Sequence, residues 1–354
     1  MRSSRREFLR LAGATALVAA CAPGQIAVPP STPTVAASRT PKPVRTLKVG
    51  HLARQLGNLV PQYEEVGPKH GVKFEVSLFP DGASLLLALS RGDILLAAPT
   101  KVQLVQAVDR GDELAMVCGY AGGYITYITR KDSTATPGDW KTLGRGGRTG
   151  LGTQPRPRIG VPTASLQYVS TLERLRAAGL DPEKDVEIVN IPFNEHVNAL
   201  DAGQIELAGA LSLFAAQGLV QDKVKLFEHA KSTPIGHFDV GFITARKLAK
   251  ERPDDLQDVV SAHYEAMRNI ETDPTRGLAR EVVYSGFSDA IVQKSYEFLR
   301  FDHRVDVAAI RATAKTMWDL KLTRQDLSAK VDEYVDLSFL AKAAGKPVAD
   351  VGRW

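Results

Sequence analysis

From residue 46 onward, short apolar stretches alternate with longer amphipathic ones, and this pattern predicts strands and helices in turn. The expected strands are short and rich in β-branched or aromatic residues. In the first half of the body they fall at 46–50, 72–78, 93–98, 114–118 and 124–130. Helices are predicted between them, from Asn58 onward, over 85–90 and over 101–110. Because the two kinds of element alternate with short connections, we expect a doubly wound, mostly parallel sheet.

The same order of elements returns in the second half of the body. Strands are predicted at 159–161, 186–191, 205–211, 224–227 and 238–244, with helices over 166–178 and 194–202. The segment 132–157 between the halves is rich in Gly and Pro and is predicted to be a loop. From 245 to 344 the pattern is helical almost throughout, and we expect these helices to pack on the outer faces of the halves.

A ten-residue phrase occurs twice, as Ala-Leu-x-x-Gly-x-Ile-x-Leu-Ala at 88–97 and at 199–208. Each copy is typical of a helix end, a glycine in the left-handed conformation and a following strand. The copies lie 111 residues apart, which is too long for a solenoid repeat of ~20–50 residues. The spacing suits one α/β unit that is repeated, so we expect an α/β protein with two similar lobes and a cleft between them.

The N-terminus carries signals for export. Residues 4–10, Ser-Arg-Arg-Glu-Phe-Leu-Arg, resemble a twin-arginine signal, and the apolar run that follows is far shorter than the ~20 residues of a membrane-spanning helix. Val-Ala-Ala-Cys, ending at Cys21, resembles a bacterial lipobox, which implies that Cys21 is lipidated. An ordinary signal with an incidental cysteine, or export by the general route, is the alternative.

We therefore expect a signal peptide over 1–20 and, over 21–46, a lipidated N-terminus with a flexible tether rich in Pro, Ala, Ser and Thr. Such a layout anchors a body on the outer face of the cell membrane or in the periplasm, because two or more acyl chains hold firmly. The net charge of +5 agrees with this organisation. The signal carries +3 and the segment through Lys48 carries +4, which leaves −2 for the body and gives no reason to expect a nucleic-acid partner.

Cysteine and histidine usage predicts no disulfide, metal or cofactor. Once Cys21 is lipidated, Cys118 has no partner, and its apolar neighbours predict a small buried hydrophobe. No Cys/His pair has metal-ligand spacing, and no nucleophile elbow is present. We therefore expect a protein that is not an enzyme and has no cofactor.

Several stretches together resemble the substrate-binding proteins of ABC importers, and among them the family of nitrate-, taurine- and sulfonate-binding and thiamine-precursor-binding proteins. The resemblance is carried by 47–50, 80–99, 159–165, 178–180 and 186–205. It implies a two-lobed periplasmic-binding-protein-like fold of type II and a monomer. It also implies three partners, namely a small-molecule ligand, an ABC permease and its ATPase.

On this basis we expect lobe 1 over 47–130, a loop over 131–157, lobe 2 over 158–240, and a return to lobe 1 with a helical C-terminal region over 241–354. The family often carries an acidic element after the second copy of the repeated phrase, where this chain has Leu-Ser-Leu-Phe at 211–214. This difference disfavours taurine, whose amine needs a carboxylate.

In open α/β sheets, ligands bind beyond the carboxyl ends of the strands, where helices begin. Helix N-termini and hydroxyl groups there favour an anion or a polar acceptor. Most of the predicted ligand-binding residues lie at such positions. To them we add a tyrosine that offers a flat wall and a histidine near the return crossing. The full set is Gln55, Asn58, Asp81, Ser84, Thr100, Tyr124, Thr163, Ser165, Asn194, Ser212 and His237. Taken singly, each is as typical of a helix cap, a core tyrosine or a surface histidine, so the hypothesis depends on their convergence.

The function that follows is delivery of a small organic or anionic solute to an ABC importer, the solute being sulfonate-like, an aromatic acid or a vitamin precursor. One alternative is a lipid-anchored receptor that feeds a sensor, and another is a binder of pyrimidine- or riboflavin-type vitamin precursors. Some eukaryotic relatives of this fold make the thiamine pyrimidine with a cysteine-rich motif and a histidine. The body of this chain has one cysteine, so we do not expect that chemistry.

Overall fold

The strands of this chain form two separate sheets. The computed structural model describes residues 43–52, 58–143, 156–163, 165–230, 233, 235 and 237–354, so the predicted signal, the tether, Cys21 and Gln55 lie outside the described residues. The strands are β1 (Arg45–Leu52), β2 (Val72–Phe79), β3 (Leu96–Ala98), β4 (Leu114–Gly122), β5 (Ile125–Arg130), β6 (Arg158–Gly160), β7 (Glu187–Val189), β8 (Leu207–Leu211), β9 (Val224–His229), β10 (Val240–Ala245) and β11 (Arg300–Phe301). The α-helices are α1 (Leu59–Val66), α2 (Gly82–Arg91), α3 (Lys101–Arg110), α4 (Leu166–Ala177), α5 (His196–Asp201), α6 (Ser212–Val220), α7 (Arg246–Glu251), α8 (Pro253–Thr272), α9 (Leu278–Ser285), α10 (Asp289–Tyr296), α11 (Val307–Asp319), α12 (Ser338–Ala344) and α13 (Val348–Val351).

The first sheet has the strand order β2-β1-β3-β10-β4-β11. β1 pairs in parallel with β2 and β3, whereas β10 is antiparallel to both β3 and β4. All nine residues of β4 are buried and are apolar or small, apart from the hydroxyl of Tyr120. Such a continuous run is typical of a strand covered on both faces. We call this sheet and the helices packed on it lobe 1.

The second sheet has the order β7-β6-β8-β5-β9 and, with its helices, forms lobe 2. β6 pairs in parallel with β7 and β8, and β5 is antiparallel to β8 and β9. Each sheet thus combines three parallel strands with an antiparallel strand inserted beside them. The predicted fold class, a two-lobed α/β architecture with mostly parallel strands and a helical C-terminal region, is confirmed.

The repeated phrase marks the same place in both lobes. Gly92, with φ of 78°, ends α2 and precedes β3, while Gly203, with φ of 68°, follows α5 and precedes β8. Both glycines adopt the left-handed conformation, which carries a steric cost for any residue with a Cβ. β3 and β8 each lie between a parallel strand and the inserted antiparallel strand. The phrase therefore corresponds to a structural repeat.

The chain crosses between the sheets at residues 123–124, between β4 and β5, and again at residues 230–239, between β9 and β10. We call these the first and second crossovers. β5 lies in the second sheet, so the predicted boundary of lobe 1 at 130 is wrong for this strand. The alternating pattern reveals that 125–130 is a strand, but not which neighbours it pairs with.

A buried ion pair ties both crossovers to lobe 1. Lys101, the first residue of α3, is fully buried, and its ammonium group donates hydrogen bonds to the carbonyls of Ile235 and Phe238. Its Nζ atom also lies 4.0 Å from Oδ1 of Asp239. The other oxygen of Asp239 accepts a hydrogen bond of 2.7 Å from the backbone N–H of Tyr124. The pair thus contacts the second crossover directly and the first crossover through Tyr124.

The C-terminal helices differ in where they pack. α8 begins with Pro253 and has Asp254 and Asp255 in its first turn, which suits the positive end of the helix dipole, and its apolar face contacts α1 and α12. α10 instead packs against α6 of lobe 2. The expectation that this region packs only on the outer faces is therefore incomplete. None of the helices in the described part of the chain is long and apolar enough to cross a membrane.

Candidate functional site

A cavity of about 650 Å³ has walls from both lobes. Lobe 1 contributes the end of β1, the loop from β2 into α2, and Gln103 of α3. Lobe 2 contributes the loops after β6 and β7 and the start of α6. Residues of α9, α10 and β11 complete the wall. Most of the cavity therefore lies where parallel strands end and helices begin, as expected for ligand sites in open α/β sheets.

The structure brings seven of the predicted residues into this one wall: Asn58, Asp81, Tyr124, Thr163, Ser165, Asn194 and Ser212. That they bind a ligand stays a prediction. Gln55 lies outside the described residues.

Ser84, Thr100 and His237 do not line the cavity, because each is engaged elsewhere. The hydroxyl of Ser84 donates to the backbone carbonyl of Asp81 at 3.0 Å. Thr100 forms a capping box with Gln103 at the start of α3. The imidazole of His237 packs edge-on against the indole of Trp354, with ring centroids 5.5 Å apart. Helix caps near a cleft are therefore not all directed into it.

On the lobe 1 wall, Asp81 caps α2. Its Oδ1 accepts a hydrogen bond of 2.8 Å from the backbone N–H of Ser84, and this bond lowers the pKa of the Asp81 carboxyl. Asp81 therefore stays ionised at neutral pH and places a negative charge at the start of α2. An anionic ligand group is consequently disfavoured at this helix.

The deepest polar group of the wall is built around Asn58. Although Asn58 precedes α1, its side chain does not cap that helix, and its Oδ1 accepts a hydrogen bond of 2.7 Å from the hydroxyl of Tyr120. Its backbone N–H donates to Oε2 of Glu281 at 3.0 Å. Glu281 belongs to α9 and is only 7% exposed. A residue of the C-terminal region therefore places a carboxylate inside the cavity.

Gly277, the residue before α9, permits this arrangement. A Cβ atom at Gly277 would lie 2.4 Å from the Cα of Asn58 and 2.3 Å from its Cβ. Since part of that obstacle is backbone, any side chain would push α9 outward. The glycine thus lets Glu281 reach Asn58.

Three tyrosines near Glu281 remain protonated. Burial is the main cause that raises the pKa of Tyr120, Tyr124 and Tyr296, and the neighbouring Glu281 carboxylate adds to each shift. Their hydroxyls therefore serve as neutral hydrogen-bonding groups. The rings of Tyr120 and Tyr296 both pack against Phe301, with centroids 5.7 and 5.4 Å away, and form an aromatic wall.

On the lobe 2 wall, the first residues of α6 line the cavity. Leu211 precedes this helix and supplies no side-chain cap. The hydroxyl of Ser212 donates to the carbonyl of Gly123 at 2.5 Å and lies 3.0 Å from the hydroxyl of Thr126, so it ties α6 to the first crossover. The N-terminal N–H groups of an uncapped helix favour an acidic ligand group.

The other polar residues of the lobe 2 wall form part of their hydrogen bonds with nearby backbone groups. Ser165 caps α4 by accepting a 3.0 Å hydrogen bond from the N–H of Tyr168, and its own hydroxyl donates to Pro162 at 2.7 Å. Asn190 accepts the backbone N–H of Thr163 at 3.0 Å. The neighbouring Phe193 and Asn194 complete this edge of the cavity.

The sequence-based prediction missed several lining residues, among them Gln103, Glu281 and Tyr296. Gln103 follows Thr100 by three residues, and that capping-box spacing could have identified it. Glu281 and Tyr296 carry no such local signal, because only the packing of α9 and α10 against the cleft brings them there.

The described lining is aromatic and acidic in character. Its aromatic side chains are Tyr120, Tyr124, Phe193, Phe214, Tyr296 and Phe301. The described residues of the lining include two carboxylates, Asp81 and Glu281, and no Lys, Arg, His or Cys. Glu281 thus supplies the acidic group that the sequence lacks at 211–214.

Solved structures with the same fold include the alkanesulfonate-binding protein SsuA from Xanthomonas axonopodis pv. citri bound to MOPS, which is 18% identical with a TM-score of 0.66 over 84% of this chain and 99% of that one. The periplasmic nitrate-binding protein NrtA from Synechocystis PCC 6803 is 14% identical, with a TM-score of 0.70 over 85% of this chain and 89% of that one. A desulfurization enzyme, DSZB, is also 14% identical, with a TM-score of 0.62 over 85% of this chain and 99% of that one. At these identities, the likeness establishes a common fold.

Among curated proteins no sequence match is found. The model of the NMT1-like family matches residues 41–283, which is well over half of the chain and includes both sheets apart from β11. The resemblance noted in the sequence is thereby confirmed, and the chain belongs to the NMT1-like family.

Proposed function

We propose that this protein binds a small organic solute outside the cytoplasm and delivers it to an ABC importer. The observation that carries the proposal is a single cavity with walls from both lobes at the ends of their parallel strands. Membership of the NMT1-like family supports it, as does the fold shared with proteins named for alkanesulfonate and nitrate binding.

A solute in this cavity contacts both lobes at once, for example Asp81 in lobe 1 and Ser212 in lobe 2. If its contacts are complete only when the lobes lie close together, binding shifts the population toward a closed form. The crossovers at 123–124 and 230–239 are the connections about which the lobes would rotate. Tyr127 of β5 and Phe242 of β10, in the strands that follow these crossovers, lie buried within their sheets. The closed form would then dock on the permease.

The size and lining of the cavity favour an organic solute over a small inorganic ion. A volume of about 650 Å³ lies within the ~300–1,000 Å³ range of pockets that hold drug-sized ligands. The aromatic wall suits a flat ring, and the start of α6 suits an acidic group. We therefore favour an aromatic acid, a sulfonate-like compound or an aromatic vitamin precursor.

Binding is favoured over catalysis, even though one protein of this fold is named as an enzyme. The described residues of the cavity wall supply no cysteine or histidine as a nucleophile or base. Cys118 is fully buried in β4, away from the cavity wall, and burial raises the pKa of its thiol, so it remains an unreactive thiol.

Export and anchoring complete the proposal. The twin-arginine motif and Cys21 support a lipoprotein held by palmitate-type acyl chains on the outer face of the cell membrane or in the periplasm, and the family resemblance implies a monomer. Labelling with a radioactive fatty acid tests this: wild type should incorporate the label, and Cys21→Ala should not. Label retained in Cys21→Ala would contradict the assignment.

The binding proposal is tested by calorimetry and thermal shift on the purified protein with sulfonates, aromatic acids and vitamin precursors. A ligand at 100 times its Kd should stabilise the protein by about 2.7 kcal/mol. Asn194→Ala, which alters the wall, should weaken binding, whereas Glu195→Ala, at the next exposed position outside the wall, should not. Equal effects of the two variants, or no binding by any class, would contradict the proposal.

Two further measurements separate the neighbouring hypotheses. Small-angle scattering should give a smaller radius of gyration with solute than without, and unchanged dimensions would argue against closure. Uptake of the solute should stop when the gene of the cognate ABC permease is deleted. Solute-dependent signalling that continues without any permease would favour a receptor that feeds a sensor.

A further inference from the structure

One wall of the cavity contains a buried side-chain NH₂ group that completes no hydrogen bond with the described part of the protein. Asn58 is 1% exposed, and its Oδ1 is taken by Tyr120, but its Nδ2 has no hydrogen-bond partner among the described residues. Most buried polar groups in proteins are paired, because an unpaired buried donor is costly. Asparagine before a helix normally caps that helix, and this side chain does not. Its donor is therefore available to a molecule in the cavity.

A second donor lies in the same wall. The hydroxyl of Tyr296, at the end of α10, is buried and completes no hydrogen bond within the described part of the chain. Burial raises its pKa, and the side chain of Asn58, which lies next to it, opposes that shift. The ring is held by Phe301, so the hydroxyl has a fixed position. Asn58 and Tyr296 together offer two donors to one acceptor, and a carbonyl oxygen has two lone pairs to accept them.

A strong acceptor stands beside these donors. Glu281 accepts the backbone N–H of Asn58 at 3.0 Å, and the negative charge of its carboxylate acts on Tyr296 as well. A carboxylate has about four acceptor positions, so it can take a further N–H group in addition to its protein partners. Hydrogen bonds to a charged acceptor are the stronger kind.

We propose that the solute presents an amide-type edge to this wall, with its carbonyl oxygen bound by Asn58 and Tyr296 and its adjacent N–H group bound by Glu281. The proposal rests on the proposed solute-binding function and names the chemical class of the solute. Carboxamides, lactams and cyclic ureas carry such an edge. Tyr120, Tyr296 and Phe301 flank it with apolar ring surface, so the rest of the solute at this end is flat.

The same geometry disfavours an acidic group at this end of the cavity. A sulfonate or carboxylate has no N–H to give Glu281, and its charge would lie close to another carboxylate in a region of low dielectric. Any acidic part of the solute belongs instead at the start of α6. The class thus differs from the alkanesulfonate and nitrate named for proteins of the same fold.

The proposal is tested by calorimetric titration of the full chain with benzamide and naphthamide and with their N,N-dimethyl forms. The primary amides should bind at least tenfold more tightly than the dimethyl forms, which lack the N–H groups. Glu281→Gln, which keeps only a neutral acceptor, should reduce this discrimination. Tyr296→Phe should weaken binding of the primary amides several-fold while the melting temperature stays nearly unchanged, since its hydroxyl completes no hydrogen bond with the described part of the protein.

Tyr284→Phe is the matched control. Its hydroxyl is also buried and unpaired among the described residues, but it does not line the cavity, so amide affinity should not change. If the dimethyl forms bind as tightly as the primary amides, the inference is wrong and the solute-binding function stands. If no compound of any class binds, including the wider solute panel, both proposals fail.

Discussion

Removal of one member of the buried Lys101–Asp239 pair should destabilise the protein far more than removal of both. Both side chains are fully buried, and the pair ties α3 to the crossovers. Lys101→Met leaves the carboxylate of Asp239 without its cation. Asp239→Asn keeps an oxygen for the N–H of Tyr124 but leaves the ammonium group of Lys101 with carbonyl partners alone.

The expected magnitude follows from the cost of an uncompensated buried charge. Loss of one partner of a buried pair typically costs about 3–5 kcal/mol, whereas replacement of both by neutral groups is often near neutral. We therefore expect each single variant to lose about 3–5 kcal/mol and the double variant to recover most of that loss. The coupling energy should consequently reach several kcal/mol.

The pH dependence gives an independent check. Burial raises the pKa of Asp239 to about 6, although Lys101 opposes this shift, so without Lys101 the pKa should rise further. A carboxyl whose folded pKa exceeds its unfolded value contributes stability at low pH that is lost as the pH rises through the folded pKa. Lys101→Met should therefore be less destabilised at pH 5 than at pH 8, values chosen on either side of that about 6.

The assay is urea unfolding followed by circular dichroism, with the slope m compared between variants. The exposed pair Lys69–Glu265, with Nζ 2.8 Å from Oε1, is the matched control and should show little coupling. The reasoning would be refuted if the stability losses of the Lys101 and Asp239 single variants were additive in the double variant. It would also be refuted if the stability lost in Lys101→Met did not depend on pH.

Three further predictions concern other parts of the fold. Gly277→Ala should push α9 from Asn58 and weaken ligand binding at least tenfold, with a stability cost of about 1–3 kcal/mol by urea unfolding; unchanged affinity would contradict the role given to this glycine. Burial lowers the pKa of His51 to about 3 and of His263 to about 4, so the unfolded state binds more protons than the folded state below pH ~6.5. The free energy of unfolding should therefore fall as the pH drops from ~6.5 toward 4, and it should fall less steeply in His51→Phe. An identical pH profile for that variant would oppose this account. Gly92→Ala should cost about 1 kcal/mol, since its φ is 78°, and a neutral result would mean that the turn relaxes.

Periodicity predicted the elements of the body well, because burial on one face or on both imposes a pattern that can be read locally. The sequence predicts α3 over 101–110, which the structure confirms as Lys101–Arg110, and β2 over 72–78, which extends by one residue to Phe79. Pairing could not be predicted in the same way. β5 shows a clear alternation, but its place in the second sheet depends on the chain's crossing at 123–124.

The candidate site was predictable only in part, for a related physical reason. Asp81, Ser165 and Ser212 lie at strand-to-helix junctions, so the sequence indicates their position directly. Ser84 and Thr100 also lie at such junctions, but their side chains form hydrogen bonds within their own helix caps. Glu281 and Tyr296 belong to helices that follow Tyr120 by more than 150 residues in the sequence, and no local pattern specifies how those helices pack.

Hydrogen exchange with and without a bound solute tests most directly whether one molecule is held between the lobes. Protection should rise together at the starts of α2 and α6, near Gly82 and Leu213, because both line the same cavity. Protection confined to one of these helices, or found only outside the cavity wall, would contradict the account.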